Sequence, residues 1–194
     1  MKKIRVSLTT MIWIILSLYS TSELFIPMVL AIALHEMGHI ICARIVGARI
    51  SRVTLSPLGA RIELERDVPY KNELILALGG PMFGIIAHAI TIILSPSHPT
   101  LYRFSAISLA LSVFNLLPLS TLDGGRALGC ILNLVLPLRI ADRISRICTF
   151  FTLFGFWIFT VYIMIKFSGG LSAFVFCAIF FVKCFILDSK NGDL

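Results

Sequence analysis

The chain has 194 residues, 58% of them hydrophobic and 14% charged, with a formal net charge of +7. Soluble domains carry about 45–50% apolar and about 25% charged residues, so this composition excludes a disordered chain and argues against a soluble globular enzyme. The positive balance forms no compact basic patch with interleaved aromatics, which argues against nucleic acid as a partner and fits a membrane protein with its Lys and Arg on one side.

The length accommodates six membrane helices of about 20 residues joined by short loops. The first predicted span, 6–22, follows Met1-Lys2-Lys3-Ile4-Arg5. It reads as a retained anchor, because its apolar run is long for a signal peptide and Ser20-Thr21-Ser22 is a weak cleavage pattern. The second span is 24–43. Within 48–71, the partial alternation of Ile50, Val53 and Leu55, then Ile62 and Leu64, around Ser56-Pro57-Leu58-Gly59 predicts a β-hairpin lying on or dipping into the membrane. The third span is 74–95 and the fourth 104–122. Residues 127–138 are apolar but too short to cross, and read as a re-entrant or interfacial helix ending near Pro137. The last two spans are 147–165 and 167–182.

With the N-terminus in the cytoplasm, 15 of the 17 Lys and Arg fall on the inner side and only Arg103 and Lys166 on the outer. This predicts a multi-pass protein of the cell membrane with both termini cytoplasmic. The expected fold class is an all-α polytopic membrane protein, with about six transmembrane helices and a short membrane-associated β-hairpin after the second. It forms a single membrane-embedded domain over 1–194, with a catalytic core of about 25–130 and C-terminal helices of about 147–187. The five cysteines are odd in number, form no CxxC and lie mostly in apolar runs, which does not suggest a disulfide framework.

Ionisable groups inside an apolar helix are costly and point to function. The second span contains Leu34-His35-Glu36-Met37-Gly38-His39-Ile40, an HExxH. The i, i+4 spacing puts both imidazoles on one helix face, about 6 Å apart along the axis, where they can converge on one zinc ion. Glu36 is then placed to reach a water on the metal and act as general base. The alternative is a His/Glu cluster that serves helix packing. A catalytic zinc usually takes a third protein ligand. His88 falls toward the outer end of the third span, at the wrong depth, and reads as a packing residue. His98, between Pro96 and Pro99, reads as an external loop residue. Cys42 lies on the right face but about 10 Å along the axis from His35. Asp123, at the inner end of the fourth span and followed by Gly124-Gly125, is the expected third ligand; alone it would read as a helix N-cap. Asn115 is a candidate to hold a substrate backbone or an oxyanion, with an interhelical hydrogen bond as the equal alternative. Pro118 is expected to unwind the fourth helix ahead of Asp123.

These motifs together resemble the site-2 protease family of intramembrane zinc metalloproteases. The resemblance covers about 25–130 and rests on HEMGH at 35–39, Gly79-Gly80-Pro81, and Asn115…Pro118…Leu122-Asp123-Gly124-Gly125. It implies a three-helix catalytic core, one zinc ion bound by His35, His39 and Asp123, and Glu36 as general base. Asn115, Pro118 and Gly59 are the expected substrate contacts. The early HExxH, the hairpin and Arg126 after the glycines are nearest to the stage IV sporulation protein FB branch, whose substrate is a sigma-factor precursor. The expectation is a core without an inserted PDZ domain and without a CBS domain after the sixth span. The implied partners are a membrane-embedded or membrane-tethered protein substrate, an inhibitory membrane protein and the lipid bilayer. A catalytically inactive relative that binds and sequesters membrane proteins is the alternative function.

Overall fold

The computed structural model describes residues 3–6, 22–56, 59–64, 68–94 and 98–167. Within them the order is β1 (Lys3–Val6), α1 (Ser22–Ile45), β2 (Ile50–Ser56), β3 (Gly59–Leu64), α2 (Tyr70–Leu94), α3 (Pro99–Asn115), α4 (Asp123–Val135) and α5 (Leu138–Phe167). Three of these helices are long and apolar enough to cross a membrane: Glu23–Ile45, Tyr70–Leu94 and Leu138–Tyr162. At 1.5 Å per residue they reach about 35–38 Å, more than the ~30 Å hydrocarbon thickness of a bilayer. Residues 7–21 and 168–182, which carry most of the expected first and sixth spans, lie outside the described residues, as do residues 57 and 58 at the tip of the expected hairpin.

The chain divides into two compact units, Met1–Asn115 and Leu116–Leu194. In the first, α1, α2 and α3 pack on one another. What they bury is small: Ala31, Ala43, Ala77, Ser105, Ser108 and Ser112 are at most 1% exposed. The large side chains point outward, Leu24, Ile26, Leu30, Ile86 and Ile90 among them. Lipid tails are as apolar as leucine, so burying leucine between helices brings no hydrophobic gain; small residues instead let backbones approach and gain dispersion. The α1–α2 crossing is the tightest example. A Cβ on Gly38 would stand 2.5 Å from the Gly79 carbonyl oxygen, and one on Gly79 would stand 2.9 Å from the Gly38 oxygen.

Polar side chains in these helices bond locally. Thr91 Oγ1 donates to the Ala87 carbonyl at 2.7 Å and Ser112 Oγ to that of Ser108 at 2.8 Å, each one turn back. Such bonds satisfy a hydroxyl where no water is available. His88 Nδ1 lies 2.8 Å from Ser105 Oγ, so His88 joins α2 to α3, in keeping with a packing role. Glu23, at the start of α1, pairs with Arg103 of α3 at 2.5 Å. After α1, Gly47 takes φ +70°, and the Ala48 N–H returns to the Ala43 carbonyl at 2.9 Å, turning the chain toward β2.

β2 and β3 pair antiparallel, from Ile50 against Leu64 to Ser56 against Gly59, with a register irregularity between Ile50 and Arg52. β1 pairs parallel to β2, Lys3 opposite Arg52 and Val6 opposite Leu55. The resulting sheet, in the order β1-β2-β3, was not foreseen: Lys3–Val6 reads from sequence as the charged flank of a membrane span.

Two boundaries correct the sequence reading. The helix of the expected fourth span, α3, runs Pro99–Asn115 and stops seven residues short of the expected 122. Pro118 has no N–H to bond back to the preceding turn, and the chain is irregular from 116 to 122. In the second unit, α5 begins at Leu138, well before the expected 147. Pro137 stands just ahead of it, and its carbonyl accepts from Ile140 and Ala141 at 2.9 and 3.1 Å, opening the helix. The short helix expected over 127–138 is α4, which ends at Val135. Its buried residues Gly124, Ala127 and Cys130 recur at helical spacing along one face.

Candidate metal centre

His35 and His39 lie one turn apart on α1, and both are buried, at 5% and 7% exposure. Their Nε2 atoms are 3.3 Å apart. The rings meet edge to face, with centroids 4.9 Å apart and planes at 81°. Two nitrogens that each sit 2.0–2.1 Å from a tetrahedral zinc are separated by about 3.3–3.4 Å. The pair therefore already stands at the spacing a single zinc requires.

The protonation of His39 follows from its neighbour. Its Nδ1 is 2.7 Å from the Leu76 carbonyl oxygen of α2. A carbonyl can only accept, so Nδ1 carries the proton and Nε2 of the neutral ring carries the lone pair a metal needs. The Gly80 N–H is 3.4 Å from the same Nδ1, at the limit of hydrogen bonding, and the much shorter carbonyl contact fixes the proton. Gly80 also leaves the imidazoles room. A Cβ there would meet His39 Nε2, and would stand 2.7 Å from His35 Nε2 and 2.8 Å from its Cε1. The donor set, its spacing and this clearance fit zinc.

Of the predicted site residues, His35 and His39 are brought together, and Glu36 follows His35 on α1, half-buried. Asp123 is the first residue of α4, in the second unit, and is half-buried. The N-cap of that helix is Leu122, without a side-chain capping bond, so Asp123 is not the N-cap the alternative reading required. A carboxylate in a first turn is favoured by the helix dipole. Pro118 lies in the irregular segment ahead of α4, where its carbonyl accepts from Thr149 Oγ1 at 3.2 Å. Asn115 closes α3 and donates from Nδ2 to the Leu111 carbonyl at 2.9 Å, a bond within its own helix. Gly59 opens β3 opposite Ser56. Sequence reasoning missed the Leu76 carbonyl, which no side-chain pattern reveals, and gave Gly80 no task, although the Gly79-Gly80-Pro81 run was its signal.

Residues 23–100 match Peptidase family M50. A zinc metalloprotease of Methanocaldococcus jannaschii is 33% identical over 117 residues, 57% of this chain and 34% of that protein. Stage IV sporulation protein FB of Bacillus subtilis is 32% identical over 161 residues, 78% of this chain and 55% of that protein. The chain thus spans between about a third and about half the length of these curated relatives. A solved site-2 protease from Methanocaldococcus jannaschii shares the fold, with TM-score 0.64 and 23% identity over 91% of this chain and 86% of its own. The paired histidines of α1 lie inside the matched segment, so the centre described above falls within the part of the chain that is similar to Peptidase family M50.

Proposed function

We propose that the protein is an intramembrane zinc metalloprotease that hydrolyses a peptide bond of a membrane-embedded or membrane-tethered protein near the cytoplasmic side. The observation that carries this reading is the 3.3 Å separation of the two Nε2 atoms, with the His39 tautomer set by the Leu76 carbonyl. In this reading Asp123 is the third ligand of one zinc. Its support is the LDGG motif and its place in the first turn of α4. Zinc held there would polarise a carbonyl and acidify a water.

Glu36, adjacent to His35 on the same helix, accepts the proton of the attacking water and returns it to the leaving amine. Asn115 and Pro118 hold the substrate backbone. A helical substrate shields its peptide bonds with its own hydrogen bonds and has to unwind first. The β3 edge, which begins at Gly59, offers backbone partners for an unwound strand. A sporulation-type sigma-factor precursor is the substrate proposed, on the similarity to stage IV sporulation protein FB. Both termini lie in the cytoplasm, on the Lys and Arg distribution.

Co-expression with a panel of membrane-tethered precursors tests this reading. Wild type is expected to cleave at least one, and Glu36→Gln to lose roughly 10²–10⁴-fold in rate while keeping its zinc. Cleavage unchanged by Glu36→Gln would remove that residue from its role. Capture of precursors without cleavage by wild type would favour an inactive, sequestering relative.

A further inference from the structure

We infer that Gly80 is a positioning residue of the metal centre: its missing side chain keeps open the space in which the two Nε2 atoms meet. The inference rests on the zinc reading above and adds a residue from a second helix to it. The three heavy atoms nearest to a Cβ at position 80, outside the backbone of its own helix, all belong to imidazoles: His39 Nε2, His35 Nε2 and His35 Cε1. Carbon in ordinary contact stands 3.4–4 Å away, so a methyl and the present ring positions exclude each other.

The His39 ring has little freedom to yield. His39 is tied through Nδ1 to the Leu76 carbonyl, one turn before Gly80 on the same helix. Withdrawing the ring from position 80 strains that bond, and with it the tautomer. Retreat of α2 as a unit would open its backbone-against-backbone crossing with α1 at Gly38–Gly79, one residue away, and forfeit the dispersion gained there. Gly79 and Gly80 therefore do different things. Gly79 lets the helices touch, and Gly80 clears the two nitrogens that this contact brings against α2. The same α2 turn thus sets both the proton on His39 and the clearance at its Nε2. Groups that orient metal ligands in this way are commonly worth 10–100-fold in metal affinity.

The test compares wild type, Gly80→Ala and His35→Ala/His39→Ala, purified in detergent, by zinc titration and by the visible spectrum of the cobalt-substituted protein. Wild type is expected to bind one metal with an intense tetrahedral cobalt spectrum. Gly80→Ala is expected to bind zinc at least tenfold more weakly, with that spectrum weakened or shifted. Zinc affinity and cobalt spectrum both unchanged in Gly80→Ala would overturn the role of Gly80 and leave the zinc reading standing. A wild-type chain that takes up no metal would overturn the zinc reading itself. The contact is also tested without metal: the drop in unfolding temperature caused by Gly80→Ala, measured in chelator, should vanish in the His35→Ala/His39→Ala background. If Gly80→Ala alone does not fold, the triple variant decides against its folded double-histidine parent. A folded triple variant supports the contact, and a misfolded one overturns it.

Discussion

Replacing Gly124 with alanine sets two physical effects against each other. Alanine is favoured over glycine inside a helix by about 0.5–1 kcal/mol, so propensity alone predicts stabilisation. In the second unit, however, a Cβ at position 124 would stand 2.6 Å from the Leu117 carbonyl oxygen, and closer still to the carbonyl carbon and oxygen of Leu116. Against an ordinary contact of at least 3.4 Å the shortfall is about 0.8 Å or more, so the start of α4 and the 116–122 segment have to part by roughly 1 Å. The opposing atoms are backbone and cannot rotate away. That places the penalty at the upper end of the ~1–3 kcal/mol seen for overpacking, and it exceeds the propensity gain. The net expectation is a loss of about 1–2 kcal/mol, or roughly 2–8 °C in unfolding temperature for a chain of this size.

Gly129 supplies the control, because it lies in the same helix and a Cβ there meets nothing within 4 Å. Gly129→Ala should raise the unfolding temperature by a few degrees, for the gain of about 0.5–1 kcal/mol that propensity supplies. Thermal unfolding followed by far-ultraviolet circular dichroism in one detergent reads both variants. Shifts of the same sign, or a stabilised Gly124→Ala, would refute the packing argument. The proposed zinc ligand Asp123 precedes Gly124, so in that reading Gly124→Ala should also lower cleavage by as much as roughly 10²-fold, the loss that a 1 Å misplacement can cause.

Other perturbations have simpler expectations. Stripping the protein with a chelator should abolish cleavage, and stoichiometric zinc should restore it; activity indifferent to both would argue against a metal centre. His39→Ala should lose metal and cleavage together, which metal analysis of the purified variant checks directly. Ser105→Ala removes the hydroxyl that joins α3 to His88, and should cost about 0.6 kcal/mol and at most ~1.7 kcal/mol while zinc content stays constant. Arg103→Ala, which breaks an exposed pair with Glu23, should change stability by less than ~1 kcal/mol in unfolding measurements, and by less still at high salt.

Much of the candidate site was legible because its chemistry is written in side chains at fixed spacing. HExxH on one helix already implies two imidazoles on one face. The α1 and α2 segments announced themselves as long apolar runs, and Pro137 marked the join between the short helix and α5. Proline at 118 was also recognised as a helix breaker. The expected span nevertheless ran through to 122, because an apolar run gives no sign of where its hydrogen bonds stop. Asp123 could be read as an N-cap or as a ligand, and the cap reading fell only when the helix start was placed at Asp123 with Leu122 before it.

The amino-acid order by itself determined which groups are costly to bury, and hence where function had to lie: two histidines and a glutamate within one apolar helix. It could not determine their state. The proton on His39 depends on a carbonyl 37 residues away, and the clearance at its Nε2 on a side chain that is absent 41 residues away. The strand Lys3–Val6 likewise exists through pairing with β2, a partner far along the chain. Backbone carbonyls are present at every residue and leave no mark in a sequence. Only the crossing of α1 on α2 selects which of them faces a ring nitrogen, and that crossing is set by the close approach of two backbones at Gly38 and Gly79.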